Sequence, residues 1–263
     1  MKPKKKFGQH FLNSPSVIRQ IIESAEIGLD THVLEIGPGQ GALTKSLVAQ
    51  SENVTVIEID PDMQEIIAEK FPPVKILAAD ASQMDFAEFL NPTVPWKCVS
   101  NLPYNVGTKI VVNLLRSTIR FEKLVLMLQK EVGLRMLAPP NDRKRGSLSV
   151  LIQQFATVDK VCIVPPGAFF PPPNVDSIVI ELSTFASPKF APNSYETFDK
   201  FNRALFSQPR KSIRNCLKKE YSVDFIALLE EESGISFGLR PANLSNEEIV
   251  DLVTMVEKIQ KWN

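Results

Sequence analysis

Apolar residues recur along the chain with two alternating periods. From residue 32 onward, short runs rich in β-branched residues alternate with longer stretches that have the helical spacing of apolar residues. This alternation is typical of βαβ units around a parallel sheet. Seven runs are predicted to be strands: Val33–Ile36, Val54–Ile59, Val74–Ala79, Lys97–Ser100, Lys123–Gln129, Val158–Val164 and Ser177–Leu182. Four stretches are predicted to be helices: Ala42–Gln50, Asp62–Lys70, Thr108–Ser117 and Ser147–Phe155.

The link between the last two predicted strands is rich in proline. It contains Pro165, Pro166 and Gly167, followed by Pro171–Pro173, and it leaves no room for a helix. A short non-helical link favours an antiparallel pair at the sheet edge. The predicted fold is therefore a doubly wound α/β domain, with a seven-stranded, mostly parallel sheet and an antiparallel edge strand.

The pattern changes after Leu182. Residues 183–195 are rich in Ser, Pro and Ala, and the chain beyond them lacks strand alternation and has helical periodicity. We place a domain boundary near residue 188. The sequence thus predicts an α/β domain over residues 1–188, with a basic N-terminal arm, and a small all-helical domain over residues 189–263.

Composition excludes several classes of protein. With 263 residues and 44% apolar composition, the chain can bury a real core. Its longest apolar runs, such as Leu124–Leu128, are far shorter than the roughly 20 residues of a membrane-spanning helix. The basic N-terminus is not followed by the apolar run of a signal peptide. We therefore expect a soluble, cytoplasmic protein.

Cysteine and histidine are scarce. The three cysteines, Cys98, Cys162 and Cys216, lie far apart in sequence, so we expect buried reduced thiols rather than disulfides or a zinc site. Two histidines, His10 and His32, are too few for a multi-histidine metal centre and offer little for a histidine-dependent triad. We expect no metal, and a chemistry that does not depend on histidine.

The charges are segregated along the chain although their sum is zero. Thirty basic and thirty acidic residues cancel. Residues 1–20 hold five basic residues and residues 200–219 hold seven, and neither stretch contains an acid. Acidic residues collect instead between Glu230 and Asp251. One interpretation is a basic face that binds nucleic acid, and the other is ordinary solvated helix surface.

A glycine-rich turn follows the first predicted strand. Gly37, Gly39 and Gly41 allow the backbone to turn tightly and approach a ligand before the next helix. The turn is typical of nucleotide sites, but it fits NAD as well as S-adenosylmethionine. Glu58 at the end of the second strand can accept hydrogen bonds from both ribose hydroxyls. Asp80 after the third strand can accept a hydrogen bond from the adenine amine of a cofactor, or it can cap a helix.

The motif Asn101-Leu102-Pro103-Tyr104 follows the fourth predicted strand and suits an adenine amine as substrate. That amine is a poor nucleophile because its lone pair is delocalised into the ring. The Asn101 side-chain carbonyl and the Leu102 backbone carbonyl, held extended before proline, can accept its hydrogens. Pro103 adds rigidity, and Tyr104 offers a face for a base taken out of its stack. Positioning would then supply most of the acceleration.

Eight motifs occur together in this chain. They are Phe7–Leu12, Gly37–Gly41, Val56–Asp60, Asp80-Ala81, Asn101–Tyr104, Gln129–Val132, Phe169–Ser177 and Gln208–Arg214. In this combination the chain resembles the KsgA-type small-subunit ribosomal RNA adenine dimethyltransferases over nearly its whole length. The resemblance implies a Rossmann-like class I methyltransferase core and a helical rRNA-binding domain. It also implies transfer of two methyl groups from S-adenosylmethionine, with S-adenosylhomocysteine as product, to each of two adjacent adenines near the 3′ end of small-subunit (16S) rRNA.

The resemblance and the charge pattern assign site residues. Cofactor contacts are expected at His10, Leu12, Gly37, Gly39, Glu58, Asp80 and Asn101. Catalysis is expected at Asn101, Leu102, Pro103 and Tyr104, with Tyr104 and Phe169 stacking on the target base. Contacts with RNA phosphates are expected from Lys4, Lys5, Lys6, Arg203, Arg210, Lys211 and Arg214. The chain departs from the family's commonest pattern at His10, where asparagine is frequent and a backbone contact is expected, and at Pro209, where a basic residue is expected.

The expected substrate is small-subunit rRNA in a pre-assembled 30S-type particle, and the expected protein is monomeric with no membrane partner. Three alternatives stay open. One is a large-subunit rRNA adenine methyltransferase of the antibiotic-resistance type, and another is a ribosome-assembly binding factor whose methylation is secondary. The least favoured is an NAD-dependent oxidoreductase, since Asn101–Tyr104 has no obvious part in hydride transfer.

Overall fold

The computed structural model describes residues 10–190 and 195–262. Contacts within the chain divide it into two compact units: one holds the residues up to 133 and residues 157–184, and the other holds residues 134–156 and the residues from 185 onward. Residues 134–156, with the predicted helix Ser147–Phe155, thus lie in the second unit, and the functional division near residue 188 stays a prediction. In the described parts of the chain, no helix is both long and apolar enough to span a bilayer.

A seven-stranded sheet forms the centre of the first unit. The strands in chain order are β1 (Phe11–Leu12), β2 (His32–Ile36), β3 (Asn53–Ile57), β4 (Lys75–Leu77), β5 (Trp96–Asn101), β6 (Phe121–Gln129), β7 (Ala156–Val164), β8 (Phe169–Phe170) and β9 (Ser177–Thr184). The large sheet has the order β4, β3, β2, β5, β6, β9, β7. Strands β2 to β6 pair in parallel, and β9 is antiparallel to β6. The predicted fold class is confirmed.

The central strands are buried along most of their length. Val33 and Leu34 of β2 are fully buried, as is the run Leu124–Met127 of β6. Parallel strands covered by helices on both faces need near-continuous apolar runs rather than alternation. Such runs make these strands easy to recognise in the sequence. Strand β3 ends at Ile57, two residues earlier than predicted, so Glu58 lies just beyond the strand end.

Five helices accompany this sheet: α1 (Pro15–Ala25), α2 (Thr44–Val48), α3 (Pro61–Lys70), α4 (Gly107–Arg116) and α5 (Lys130–Leu137), of which α5 runs into the second unit. Helix α1 lies before the alternation that begins at residue 32, and its buried residues Val17, Ile21 and Ala25 have helical spacing. Helix α2 is shorter than the predicted Ala42–Gln50, because residues 39–43 are taken up by the glycine turn.

Strands β1 and β8 form a separate two-stranded antiparallel sheet. Phe11 lies opposite Phe170 and Leu12 opposite Phe169, and the Asn13 N–H donates to the Ala168 carbonyl at 2.9 Å. Strands of two residues have no period that a sequence pattern can reveal. This small sheet fastens the segment that begins at His10 to the proline-rich link before β9.

The second unit is helical. Its helices are α6 (Ser147–Phe155), α7 (Tyr195–Leu205), α8 (Ile213–Leu217), α9 (Val223–Ser233) and α10 (Asn246–Trp262). Phe198 and Phe201 of α7 are fully buried. The Asn202 side-chain amide donates to the Ser147 carbonyl at 2.9 Å, which explains why residues 147–155 belong to this unit. The predicted helical C-terminal region is confirmed.

Candidate functional site

A cavity of about 510 Å³ opens at the carboxyl ends of β2, β3 and β5 in the first unit, where ligands bind in open α/β sheets. All ten residues that the sequence predicts for cofactor binding and catalysis line it: His10, Leu12, Gly37, Gly39, Glu58, Asp80, Asn101, Leu102, Pro103 and Tyr104. The structure thus brings together residues from five separate stretches of sequence. Their individual roles stay predictions.

The glycine turn after β2 exposes bare backbone to the cavity. Gly37, Gly39 and Gly41 have positive φ angles of 67°, 55° and 86°, which favour glycine. A Cβ at Gly41 would overlap the Phe71 ring, and one at Gly39 would lie 3.1 Å from the Phe11 ring. All three positions are therefore restricted to glycine by their φ angles, and Gly39 and Gly41 also by the space around them.

Glu58 follows β3 and is buried in the cavity wall. Its Oε1 accepts a hydrogen bond from the Asp60 N–H at 2.8 Å. Burial raises the pKa of the Glu58 carboxyl, and hydrogen bonds from the backbone of Asp60, Gly39 and Ile59 oppose that rise. The carboxyl is thus oriented by backbone donors from the glycine turn and from its own strand end, as a ribose-binding acceptor requires.

Asp80 organises the turn that follows β4. Its carboxylate accepts from the Ser82 N–H at 2.9 Å and from the Gln83 side-chain amide at 3.1 Å. Residues 81–83 form a turn rather than the helix that Asp80 was considered to cap. Asn113 of α4 supports this turn from behind, since its side-chain amide donates to the carbonyls of Ala81 at 3.0 Å and Met84 at 2.9 Å.

Asn101 is the last residue of β5, and its side-chain amide is fixed by the N-terminal segment. Nδ2 donates to the His10 carbonyl at 3.1 Å. Because this bond uses the nitrogen of the amide, Oδ1 remains available as an acceptor. A Cβ at Gly37 would lie 4.0 Å from the Asn101 backbone oxygen, so the glycine turn and the end of β5 are within van der Waals reach.

Leu102 and Pro103 hold the loop after β5 against the protein. The Leu102 N–H donates to the Met127 carbonyl at 3.1 Å, and its side chain is buried. The Pro103 carbonyl accepts from the N–H groups of Val106 and Gly107, at 3.3 and 2.8 Å, where α4 begins. The loop that carries the predicted catalytic groups is therefore rigid at both ends.

The Tyr104 side chain is half-buried and interacts with His10 and Ser177. It stacks on the His10 imidazole with a centroid distance of 5.6 Å and an interplanar angle of 29°. Its hydroxyl hydrogen-bonds the Ser177 hydroxyl, and burial raises the pKa of the Tyr104 phenol. The His10 imidazole is itself held by its Nδ1–H, which donates to the Pro171 carbonyl at 2.8 Å.

The two neighbouring phenylalanines of β8 differ sharply in exposure. Phe169, the predicted base-stacking residue, is 3% exposed, packs in the hydrophobic core and does not line the cavity. Phe170 is 65% exposed and lines the cavity. Adjacent residues of a strand point to opposite faces, so only one of the two rings can face a ligand. The structure therefore places Phe170, rather than Phe169, in the cavity wall, and the stacking role of Phe169 stays a prediction.

Glu35 lines the cavity but received no role in the sequence analysis. It is buried at the end of β2 and accepts from the Thr44 hydroxyl at 2.6 Å. Burial raises the pKa of Glu35 to about 8, and the negative charge of Glu58 adds to that rise. Glu35 lies in the predicted strand Val33–Ile36, just before the glycine turn, whereas its hydrogen bond depends on the position of Thr44 in α2. Among residues 10–190 and 195–262, no group of three His, Cys, Asp or Glu side chains could hold a metal.

The predicted RNA-binding residues of the second unit differ in their pairing. Arg203 donates to Asp199 at 2.9 Å and Arg214 pairs with Glu230. Arg210 and Lys211 are exposed in the turn before α8, and within the described residues neither forms an ion pair. Lys4, Lys5 and Lys6 lie outside the described residues.

Known proteins resemble this chain along nearly its whole length. The family model for ribosomal RNA adenine dimethylase matches residues 1–261. A protein named ribosomal RNA small subunit methyltransferase A from Syntrophotalea carbinolica is 37% identical over 258 residues, covering 97% of each chain. The protein of that name from Streptococcus pneumoniae is 37% identical over 261 residues, covering 95% of this chain and 90% of its own.

Two solved structures share the fold. A dimethyladenosine transferase from Plasmodium falciparum has a TM-score of 0.80 at 27% identity and covers 95% of this chain and 98% of its own. The 23S rRNA methyltransferase ErmE has a TM-score of 0.70 at 25% identity and covers 94% of this chain and 99% of its own. The predicted enzyme class, an rRNA methyltransferase, is confirmed.

The cavity suits S-adenosylmethionine. Its volume of about 510 Å³ falls within the range of small-molecule sites, roughly 300 to 1,000 Å³. Glu58 presents an oriented carboxyl for ribose hydroxyls, the glycine turn leaves space for backbone approach, and Asp80 lies in the same wall. When bound, S-adenosylmethionine supplies an electrophilic methyl group. The chain belongs to the ribosomal RNA adenine dimethylase family, and S-adenosylmethionine is its methyl donor.

Proposed function

We propose that the protein transfers methyl groups from S-adenosylmethionine to N6 of two adjacent adenines near the 3′ end of small-subunit rRNA. The product would be N6,N6-dimethyladenosine, formed during biogenesis of the small ribosomal subunit. The observation that carries this proposal is the fixed amide of Asn101, whose nitrogen is committed to the His10 carbonyl at 3.1 Å. Its oxygen therefore remains available as an acceptor, and Asn101 lines the cavity.

Asn101 and Leu102 act on the target amine. The Asn101 Oδ1 and the Leu102 carbonyl accept the two N6 hydrogens, which draws the nitrogen away from conjugation and directs its lone pair. Holding the amine in line with the methyl group removes much of the barrier, since good positioning is worth about 7 to 11 kcal/mol. The loop around Pro103 supports this role, because the Pro103 carbonyl accepts hydrogen bonds from Val106 and Gly107 at the start of α4.

Aromatic rings of the cavity hold the extruded base. His10 covers one face of Tyr104, so the base stacks on the other face. Phe170, exposed and in the same cavity wall, takes the second stacking role. Base–aromatic stacking is worth about 1 to 3 kcal/mol for each base, enough to offset much of the cost of unstacking the adenine from rRNA.

Basic side chains bind RNA phosphates around the target. In the second unit this role falls mainly to Arg210 and Lys211, since they are exposed and outside the intramolecular ion pairs. We also propose that the protein acts as a monomer on a pre-assembled 30S-type particle in the cytoplasm, where its rRNA substrate is found. The names of the 37% identical relatives, which are small-subunit methyltransferases, support this choice of subunit.

A large-subunit target is the second candidate. It is favoured by one observation, the 0.70 TM-score with the 23S rRNA methyltransferase ErmE. The higher identity to small-subunit enzymes, at 37% against 25%, makes it the weaker of the two.

Transfer of labelled methyl from S-adenosylmethionine to unmethylated small and large ribosomal subunits tests the proposal. We expect label on N6-dimethyladenine of small-subunit rRNA, and its loss with Asn101→Ala. Label on large subunits alone would favour the second candidate. No label on either subunit would contradict both, and would leave an assembly factor that binds S-adenosylmethionine as the better account.

A further inference from the structure

The Ser177 hydroxyl is a fixed point behind the active site. Ser177 is fully buried and is the first residue of β9, where it lies opposite Gln129 of β6. A buried hydroxyl needs a hydrogen-bond partner, and the partner of Ser177 is the hydroxyl of Tyr104, 73 residues earlier in the chain. The bond therefore links the loop after β5 to the sheet.

The neighbourhood of Ser177 is held firmly. The Lys130 N–H donates to the Asp176 carbonyl at 3.0 Å, and the Lys130 ammonium lies 2.8 Å from the Asp176 carboxylate. Ser177 thus follows a residue that is anchored through both its backbone and its side chain. The proline-rich link that contains Phe170 ends at Ser177, where β9 begins.

The hydrogen bond to Ser177 complements the stack of Tyr104 on His10. The Tyr104 ring lies on the His10 imidazole at 5.6 Å, and a stack restrains the plane of a ring more than rotation or sliding within that plane. A hydrogen bond at the far end of the ring restrains both. Removing the Ser177 hydroxyl would leave the Tyr104 hydroxyl half-buried without its partner and the ring less well aligned.

We infer that Ser177 is a positioning residue for methyl transfer, acting through the Tyr104 hydroxyl to set the ring on which the target adenine stacks. This inference rests on the proposed function of the site. Ser177 itself does not line the cavity, so its effect on transfer passes through Tyr104. Neither Ser177 nor Tyr104 is among the residues predicted to contact the cofactor, so we expect S-adenosylmethionine binding to change little.

A double-mutant cycle tests the inference. The proteins are wild type, Ser177→Ala, Tyr104→Phe and the double variant, with Ser183→Ala as a matched control on the same strand. We expect each single change at the pair to lower kcat about tenfold, with the Kd for S-adenosylmethionine within twofold of wild type. The double variant should be no slower than either single one, because both remove the same bond. Ser183→Ala should match wild type.

Two results would overturn the inference: losses that multiply in the double variant, or wild-type kcat in Tyr104→Phe. If Ser177→Ala fails to fold, as shown by lost binding of S-adenosylmethionine, Tyr104→Phe probes the bond from its other end. The ring can also be followed without turnover, by fluorine NMR of protein labelled with 3-fluorotyrosine. The chain has three tyrosines, so Tyr104→Phe assigns the signal. Ser177→Ala should broaden or split it, and an unchanged line would count against the inference even where no methyl transfer is detected.

Discussion

The Glu35 carboxyl accepts a hydrogen bond from the Thr44 hydroxyl at 2.6 Å, inside the wall of the cofactor cavity. Thr44 is the first residue of α2, so this bond ties the end of β2 to the helix that follows the glycine turn. The bond lowers the pKa of Glu35, but burial outweighs it and raises that pKa to about 8. Near neutral pH the carboxyl is therefore largely protonated.

The first prediction concerns stability against pH. A carboxyl whose folded pKa is about 8, against 4.5 without the protein environment, stabilises the fold fully below pH 4.5. This contribution is lost as pH rises towards 8. At about 1.4 kcal/mol for each pH unit, the loss reaches about 5 kcal/mol at most. Glu35→Gln, which cannot ionise, should keep more of its stability than wild type between pH 5 and 8.5. Chemical denaturation at several pH values measures this.

The free energy of unfolding of Glu35→Gln should depend on pH less steeply than that of wild type, but some dependence should remain. Burial also raises the pKa of Glu58, so a residual slope in the same direction is expected. Glu26 is the control, because Lys123 lowers its pKa and its carboxyl is exposed; Glu26→Gln should keep the wild-type slope. Parallel profiles for wild type and Glu35→Gln would show that Glu35 stays ionised when buried.

The second prediction separates two asparagines of the site. Asn101→Ala removes the acceptor for the target amine, and loss of one such preorganised group typically costs about a hundred- to a thousandfold in kcat. Asn113→Ala instead removes the two hydrogen bonds that hold the Asp80 turn, so it should weaken binding of S-adenosylmethionine about tenfold with a smaller effect on kcat. Calorimetric Kd values and saturating kcat values distinguish the two. Equal effects of both variants on both quantities would contradict the separate roles.

The third prediction uses the neighbouring rings of β8. Phe170→Ala removes an exposed ring and should change stability by less than about 0.5 kcal/mol, while lowering kcat/KM for rRNA about tenfold or more. Phe169→Ala leaves a cavity in the core and should destabilise the fold by about 3 to 5 kcal/mol. Thermal unfolding and transfer kinetics on both variants check this. A stable Phe169→Ala protein with poor transfer would instead support Phe169 as the base-stacking residue.

The sequence predicts the large sheet well because a buried parallel strand is marked by its own residues. The run Leu124–Met127 is apolar throughout and fully buried, and no distant contact is needed to recognise it. Helix α6 shows the limit of this approach. Its helical spacing is plain, but it is apolar on most of its faces, with Val150 and Ile152 both fully buried. Such a helix does not reveal which unit it packs in.

The site is predicted to the extent that topology determines it. Glu58, Asp80 and Asn101 stand at the ends of strands, and the carboxyl ends of parallel strands meet at one edge of a sheet. Contacts between distant segments are invisible in the same pattern. The choice between Phe169 and Phe170 depends on the pairing of β1 with β8, and the partner of Tyr104 lies on β9. These relationships require the register, which a single sequence does not supply.

The fourth prediction concerns RNA phosphates and separates unpaired from paired basic residues. Each phosphate contact that is lost lowers the slope of log affinity against log salt by about 0.7 to 0.9. Replacing both Arg210 and Lys211 with alanine should therefore reduce the slope by about 1.4 to 1.8. Arg203→Ala and Arg214→Ala should change the slope less, because these guanidinium groups are paired with Asp199 and Glu230. Each would have to leave its carboxylate partner before it could bind a phosphate.

Binding of a small-subunit rRNA fragment between 50 and 300 mM salt measures these slopes. Lys160→Ala, which removes an exposed charge from β7 of the first unit, controls for net charge alone. If the control lowers the slope as much for each charge as the change at Arg210 and Lys211, the electrostatic attraction is diffuse and the two residues hold no particular phosphate. An unchanged slope in the Arg210 and Lys211 variant would exclude them from the RNA interface, and would leave the N-terminal lysines as the basic stretch to test.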